Sequence, residues 1–168
     1  MANIITEQKI IDNNKRALVK YVFQYVDTAS VANTVLLDAS MLSGALNTNG
    51  YIMSSNTNPK STYRTKIKRV FGMAKLTNSA RLQWQGDSNS TIVTFNTGSF
   101  DYNFENLGDN AVIANPEANA TGDILLSGTM ASGDIFTLFV DLRKDSEDYS
   151  AGQFADPVAF NQGPARLV

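Results

Sequence analysis

The chain is patterned as short runs in which apolar and polar side chains alternate, separated by turns. The clearest run covers residues 16–27, where every second residue from position 17 to position 25 is apolar or aromatic. These residues are Ala17, Val19, Tyr21, Phe23 and Tyr25. Because the side chains of a strand point alternately to its two faces, the run predicts a half-buried β-strand. Residues 31–38 follow a polar turn and are predicted to be its hairpin partner.

Two later segments show the same period. Residues 81–85 place Leu82 and Trp84 on one face, and residues 91–95 return after a Gly-Asp-Ser-Asn-Ser turn, which predicts a second hairpin. Residues 100–105 carry aromatic side chains at even positions, which predicts a further strand.

The segment from residue 62 to residue 75 alternates less regularly. Its predicted faces carry Ile67, Arg69, Phe71 and Met73 on one side and Lys66, Lys68 and Val70 on the other. Gly72 is a candidate β-bulge, because glycine inside a strand often marks one.

Two Gly-Asp pairs, Gly122-Asp123 and Gly133-Asp134, each begin an apolar run rich in β-branched and aromatic residues. The residues between the two runs are rich in Gly, Ser and Thr, so the runs are predicted to form a closing hairpin. In the second run, Ile135 and Phe139 lie on the face opposite Phe136. Both faces are therefore expected to be covered, either by a central position in a sheet or by a second subunit.

These runs predict an all-β fold of about eight strands, an antiparallel β-sandwich of jelly-roll type. The predicted organisation is an N-terminal arm over residues 1–14, a β-sandwich domain over 15–144 and an extended C-terminal tail over 145–168. Residues 44–61 are rich in Asn, Ser and Gly and are predicted to form a long surface loop. The tail carries Phe154 and Phe160, which we expect to contact a neighbouring subunit.

The chain has no cysteine and no histidine. Disulfides, thiolate nucleophiles, the common zinc sites and every Ser-His or Cys-His pair are thereby excluded. Asp101, Asn103 and Glu105 have a spacing like that of a calcium loop, but Gly at the sixth position and Glu at the twelfth are missing. The acidic residues from Asp145 to Asp148 are expected to be solvated. We therefore predict no catalytic residues, no cofactor and no metal.

Charge is distributed unevenly along the chain. Residues 1–81 hold 11 Lys or Arg against four acids, whereas residues 82–168 hold three against 12. The bases between residues 60 and 81 either pair with acidic neighbours in the sheet, which we favour, or mediate self-association, or contact nucleic acid, which the acidic chain as a whole disfavours. The candidate partner interface consists of Lys66, Lys68, Arg69, Ile135, Phe139, Phe154 and Phe160.

Two further expectations concern location and ligands. The N-terminus has no basic start followed by an apolar run, so no secretory signal is predicted, and no apolar stretch is long enough to span a membrane. Trp84 could stack on a sugar, as in a carbohydrate-binding module, but its alternation with Leu82 favours a core position.

Several segments, taken in order, resemble a family of small virion structural proteins of tailed, mainly marine, bacteriophages. They are residues 16–20, 37–42, 66–70, 81–84, 122–125 and 133–144. The resemblance implies a non-enzymatic component of the virion, made in the host cytoplasm, with other virion proteins as partners. We favour a capsid decoration or cement subunit that binds the major capsid protein and forms homo-oligomers on the particle, because a β domain with extended ends can bridge capsomers. A neck or tail ring subunit, or a carbohydrate-binding module of a receptor-binding structure, are the alternatives.

Overall fold

Two antiparallel sheets packed face to face make up the fold. The structure is a computed structural model that describes residues 4–27, 29–53, 58–105, 113–116 and 118–151. Its strands are β1 (Ile4–Asp12), β2 (Arg16–Gln24), β3 (Ala29–Leu37), β4 (Thr65–Lys75), β5 (Ala80–Trp84), β6 (Ser90–Phe95), β7 (Gly98–Asn103), β8 (Ile113–Ala114), β9 (Ile124–Met130) and β10 (Ile135–Lys144). A short 3₁₀ helix covers Ala39–Met41. No helix in these ranges is long and apolar enough to cross a membrane.

The strand order identifies a jelly roll. The six-stranded sheet has the order β1-β2-β10-β4-β7, with β8 also paired to β4, and the four-stranded sheet has the order β3-β9-β5-β6. Without β1 and β8, eight strands remain in two sheets of four, β2-β10-β4-β7 and β3-β9-β5-β6. If these eight are renumbered 1 to 8 along the chain, the two orders are 1-8-3-6 and 2-7-4-5. This arrangement is the double Greek key of a jelly roll, and it confirms the predicted fold class.

The core lies between the two sheets. The alternating residues predicted for β2 are all buried, from Ala17 at 0% exposure to Tyr25 at 3%. Trp84 is 1% exposed and packs in the same core. The prediction that Trp84 is a core residue is therefore confirmed, and it cannot stack on a sugar at the surface.

Two predicted hairpins are wrong, because their turns cross from one sheet to the other. β3 pairs with β9 and not with β2, while β10 pairs with β2 and not with β9. The two crossing turns lie side by side: the amide of Tyr25 donates to the carbonyl of Asp134 at 2.9 Å, and the amide of Gly133 donates to the carbonyl of Tyr25 at 2.8 Å. The hairpin of β5 and β6 is confirmed, and β10 lies centrally between β2 and β4.

The faces of β4 differ from the prediction at one point. The register with β10 shifts at Lys68, so Ile67 and Val70 both face the core and Ile67 does not share a face with Phe71. The bulge is at Lys68 and not at Gly72. Gly72 instead allows close contact with β10, since a Cβ atom there would lie 2.0 Å from the carbonyl oxygen of Thr137.

Both predicted end segments contact the sandwich. Within residues 1–14, β1 pairs antiparallel with β2 as an edge strand, although most of its side chains are exposed. Within residues 145–168, Asp148 and Tyr149 are buried, and Tyr149 donates a hydrogen bond to the carbonyl of Ala39 at 2.9 Å. The packed body therefore continues past Lys144 to Ser150. Phe154 and Phe160 lie outside the described residues.

Candidate interaction surface

The side of the six-stranded sheet that faces away from the core, called here the outer face, carries most of the predicted interface. Lys66, Arg69, Ile135 and Phe139 lie on it, and Lys68 lies in the bulge beside Arg69. The pairing of β4 with β10 sets Phe71 opposite Phe139 and Arg69 opposite Asp141. The two remaining candidates, Phe154 and Phe160, lie outside the described residues.

A stacked aromatic pair occupies the middle of the outer face. The rings of Phe71 and Phe139 are 4.7 Å apart between centroids and almost parallel, at 3°. The Arg69 guanidinium lies 4.5 Å from the Phe71 centroid, and the Lys20 ammonium lies 5.9 Å from the Phe139 centroid. Each ring therefore stabilises a cation through its π face.

Carboxylates on and beside this face are already paired. Arg16 binds both oxygens of Asp141, at 2.9 and 2.7 Å, and Lys68 contacts Glu105 at 2.7 Å. Arg69 binds Asp101, and this hydrogen-bonded contact holds the pKa of the Asp101 carboxyl below its usual range. The side-chain oxygen of Asn103 accepts a hydrogen bond from the amide of Glu105 at 3.1 Å, so each member of the calcium-like triplet has a partner within the protein.

Four cations of the outer face lack such a partner. Within the ranges that the structure describes, Lys20, Lys66, Lys75 and Arg143 have no carboxylate at ion-pair distance. Since the carboxylates here are neutralised by other bases, the four cations give the face a positive potential.

Four of the seven cations of the basic stretch pair with acids, as predicted, but two of them, Lys60 and Arg64, lie before β4 and pair outside the sheet. Arg64 and Lys60 bind Asp148 near the end of the described chain, at 3.0 and 2.9 Å. Lys68 and Arg69 bind the acids given above. Burial opposes ionisation of Asp148, but the hydrogen bonds from these cations outweigh it and hold the pKa of Asp148 below its usual range. The expectation that the acids from residue 145 to residue 148 are solvated is therefore wrong for Asp148.

Exposed aliphatic side chains complete the surface. Val22, Met73 and Ile135 are 37%, 61% and 47% exposed. They line a shallow groove of about 500 Å³ at one end of the outer face, together with the exposed Lys75. The sequence analysis did not predict Val22 as part of the surface. Its position among the outward, mainly polar residues of β2 could have indicated an exposed apolar side chain.

Comparisons with known proteins give no relative: no family model matches the chain, and neither a curated protein nor a solved structure matches it. In the described part of the chain, no three acidic side chains are grouped so that they could hold a metal ion.

Proposed function

We propose that this chain is a non-enzymatic structural protein of a bacteriophage virion, a decoration or cement subunit that attaches to an acidic protein surface of the particle through its outer face. The observation that carries the proposal is the presence, on one sheet face, of four cations with no carboxylate partner among the described residues and of three exposed aliphatic side chains. The family resemblance of residues 16–144 supplies the virion as the context.

The chemistry of the outer face favours a protein partner over a nucleic acid. Its most exposed apolar groups are the aliphatic side chains of Val22, Met73 and Ile135, and its two phenylalanines stack on each other. Bases of single-stranded nucleic acids need free aromatic faces for stacking. Lysines that have no carboxylate partner among the described residues and share a face with an exposed apolar groove instead match the chemistry of a protein interface, where charges steer the encounter and apolar contacts hold the complex.

The copy number of the chain in purified particles tests its role directly. A decoration subunit should be present in on the order of hundreds of copies, whereas a neck or tail ring requires about a dozen or fewer. Quantitative mass spectrometry against the major capsid protein measures this ratio. Absence from the particle would contradict the whole proposal, and a ring-like number would favour the neck or tail alternative.

Charge reversal tests the surface. The triple variant Lys66→Glu, Lys75→Glu and Arg143→Glu should bind particles lacking the protein at least about tenfold more weakly at low salt, and the difference should shrink as salt screens the charges. Arg81→Glu is the matched control for the single variant Lys75→Glu, because each changes the net charge by two units; Arg81 is exposed on β5 of the other sheet and also has no carboxylate partner among the described residues. Equal weakening by these two single variants would show that net charge, and not the outer face, governs binding.

A further inference from the structure

An apolar groove runs along the side of the sandwich where β1 and β3 are neighbours in different sheets. In the part of the chain that the structure describes, β1 pairs only with β2 and β3 only with β9, so each strand has one unpaired backbone edge. Two adjoining cavities of about 380 and 330 Å³ lie between these strands, and both are lined by Glu7, Tyr21, Val35 and Leu36. We call them together the edge groove.

The edge groove contains side chains that lack partners. Its rim carries Ile5, Val35 and Met41, which are 53%, 49% and 54% exposed. Tyr21 lines it from the core side, 1% exposed, and its hydroxyl has no hydrogen-bond partner among the described residues. A buried hydroxyl without an acceptor is destabilising. The groove therefore favours an occupant with apolar side chains and free carbonyl groups, such as an extended polypeptide segment that adds to an unpaired strand edge.

We propose that residues 154–160 of this same chain bind in the edge groove as an added strand. The described chain leaves the sandwich beside one end of the groove, because the amide of Ser150 donates to the carbonyl of Gly44 at 2.8 Å and Leu42 lines that end. The ten residues from Ser150 to position 160 can extend over about 33 Å, and a nine-residue strand such as β1 is about 30 Å long.

The direction of the segment also fits. β1 ends at Asp12, whose carboxylate accepts a hydrogen bond from the amide of Ser43, and β3 ends at Leu37, just before the 3₁₀ helix. Both strands thus end where the C-terminal segment begins. A segment that starts there and follows the groove runs antiparallel to both edges, as do all paired strands of the sandwich.

The sequence of the segment has the period that the groove requires. Phe154, Val158 and Phe160 share one face of an extended chain, and the other face carries only Ala and Pro. Asp156 is the one charged residue on the face that carries Phe154, Val158 and Phe160, and Lys9, which lines the groove, already pairs with Asp12 at 3.6 Å. The alternation therefore provides apolar side chains for the floor of the groove.

Thiol reactivity tests this assignment, since the chain has no cysteine of its own. Val35→Cys places a single thiol on the rim of the edge groove, and Met73→Cys places one of similar exposure on the outer face. We expect maleimide labelling of Val35→Cys to become at least about fivefold faster when residues 152–168 are removed, with no change for Met73→Cys. Fluorescence of the buried Trp84 verifies that each variant is folded.

Two results would overturn the proposal. Equal labelling of Val35→Cys with and without residues 152–168 would show that the segment does not cover the groove. Protection that disappears on dilution would show that another copy supplies the segment, as in arm exchange. The edge groove is separate from the outer face, so either result leaves the proposed attachment to a particle untouched.

Discussion

Removing the carboxylate of Asp12 should destabilise the protein much more than removing its partner, Lys144. The side chain of Lys144 is 0% exposed and that of Asp12 is 13% exposed. The ammonium of Lys144 donates to Asp12 and to the carbonyl of Ser43, and it lies 5.0 Å from the ring centroid of Tyr149. Asp12→Ala leaves this buried ammonium without its counter-ion, whereas Lys144→Met leaves a carboxylate that water can reach.

The expected magnitudes follow from this asymmetry. Removing one partner of a buried ion pair lowers the free energy of unfolding by about 3–5 kcal/mol. Because Lys144 keeps its other contacts, we expect Asp12→Ala to lower it by about 3 kcal/mol. Lys144→Met keeps the hydrogen bond from the amide of Ser43 to Asp12 and should cost only about 1–2 kcal/mol. The double variant should be more stable than Asp12→Ala alone, because it removes the unpaired charge.

Urea unfolding followed by the fluorescence of Trp84, the single tryptophan, measures these differences. The reasoning is refuted if Asp12→Ala costs no more than Lys144→Met, or if the second substitution adds to the loss of the first. Either result would mean that the ammonium of Lys144 reaches water in the folded state.

The same pair predicts a dependence on pH. Burial lowers the pKa of Lys144 below the ordinary lysine value of 10.5, and the hydrogen bond to Asp12 opposes the shift. A lysine whose pKa is lower in the folded protein releases its proton on folding, so the free energy of unfolding rises with pH between the folded and unfolded pKa values. Asp12→Ala lowers the folded pKa further. The loss in free energy of unfolding caused by Asp12→Ala should therefore be smaller at about pH 9.5 than at about pH 7.

Three further predictions concern single substitutions. The burial of Tyr149 indicates that the packed body continues to Ser150, so Tyr149→Ala should lower the free energy of unfolding in urea by about 3–5 kcal/mol. A loss under about 1 kcal/mol would contradict this. Gly122→Ala should lower the free energy of unfolding clearly more than Gly133→Ala. The two glycines have similar φ angles, +91° and +89°, but only at Gly122 would an added Cβ atom meet a carbonyl oxygen, at 2.1 Å. The Gly133 variant should lose about 1–2 kcal/mol from φ alone, and equal losses would refute the steric argument. Because the pKa of Asp148 is lowered, stability should fall as pH drops below about 4, and Asp148→Asn should show a smaller decline in an acid titration.

The alternation of side chains predicted which face of each strand is buried but not which strands pair. Period 2 in β2 and β5 is a property of one strand and its two faces. Pairing depends on where the connecting turns lead, and a four-residue turn can close a hairpin or cross to the other sheet. The turn before β10 crosses, and the carboxylate of Asp134 fixes it by accepting hydrogen bonds from the amides of Ala131 and Thr77. Thr77 is remote in sequence, so no local pattern could indicate this contact.

The basic charge of the candidate surface could be predicted from the sequence, but the ion pairs that its residues form could not. Arg16 and Asp141 are 125 residues apart in sequence, and only the position of β10 beside β2 brings them together. The same holds for Lys144 and Asp12, which are 132 residues apart. The sequence does show that the first half is basic and the second half acidic, and from β2 to β7 the strands of the six-stranded sheet come alternately from the two halves. Pairing between the halves could therefore be expected, but the partners could not.

The ion pairs also separate the cations of the outer face into those that stabilise the sheet and those that remain available to a partner. Arg16 and Arg69 each bind a carboxylate with two nitrogens, a geometry that the planar guanidinium favours and an ammonium cannot reproduce. Lys66 and Lys75 have no such partner among the described residues and stay available to another molecule. Charge reversal at Arg69 would therefore disturb the sheet itself, whereas reversal at the lysines changes only the surface potential. Loss of attachment after the lysine substitutions alone, in a protein of unchanged stability, is the result that identifies an interface.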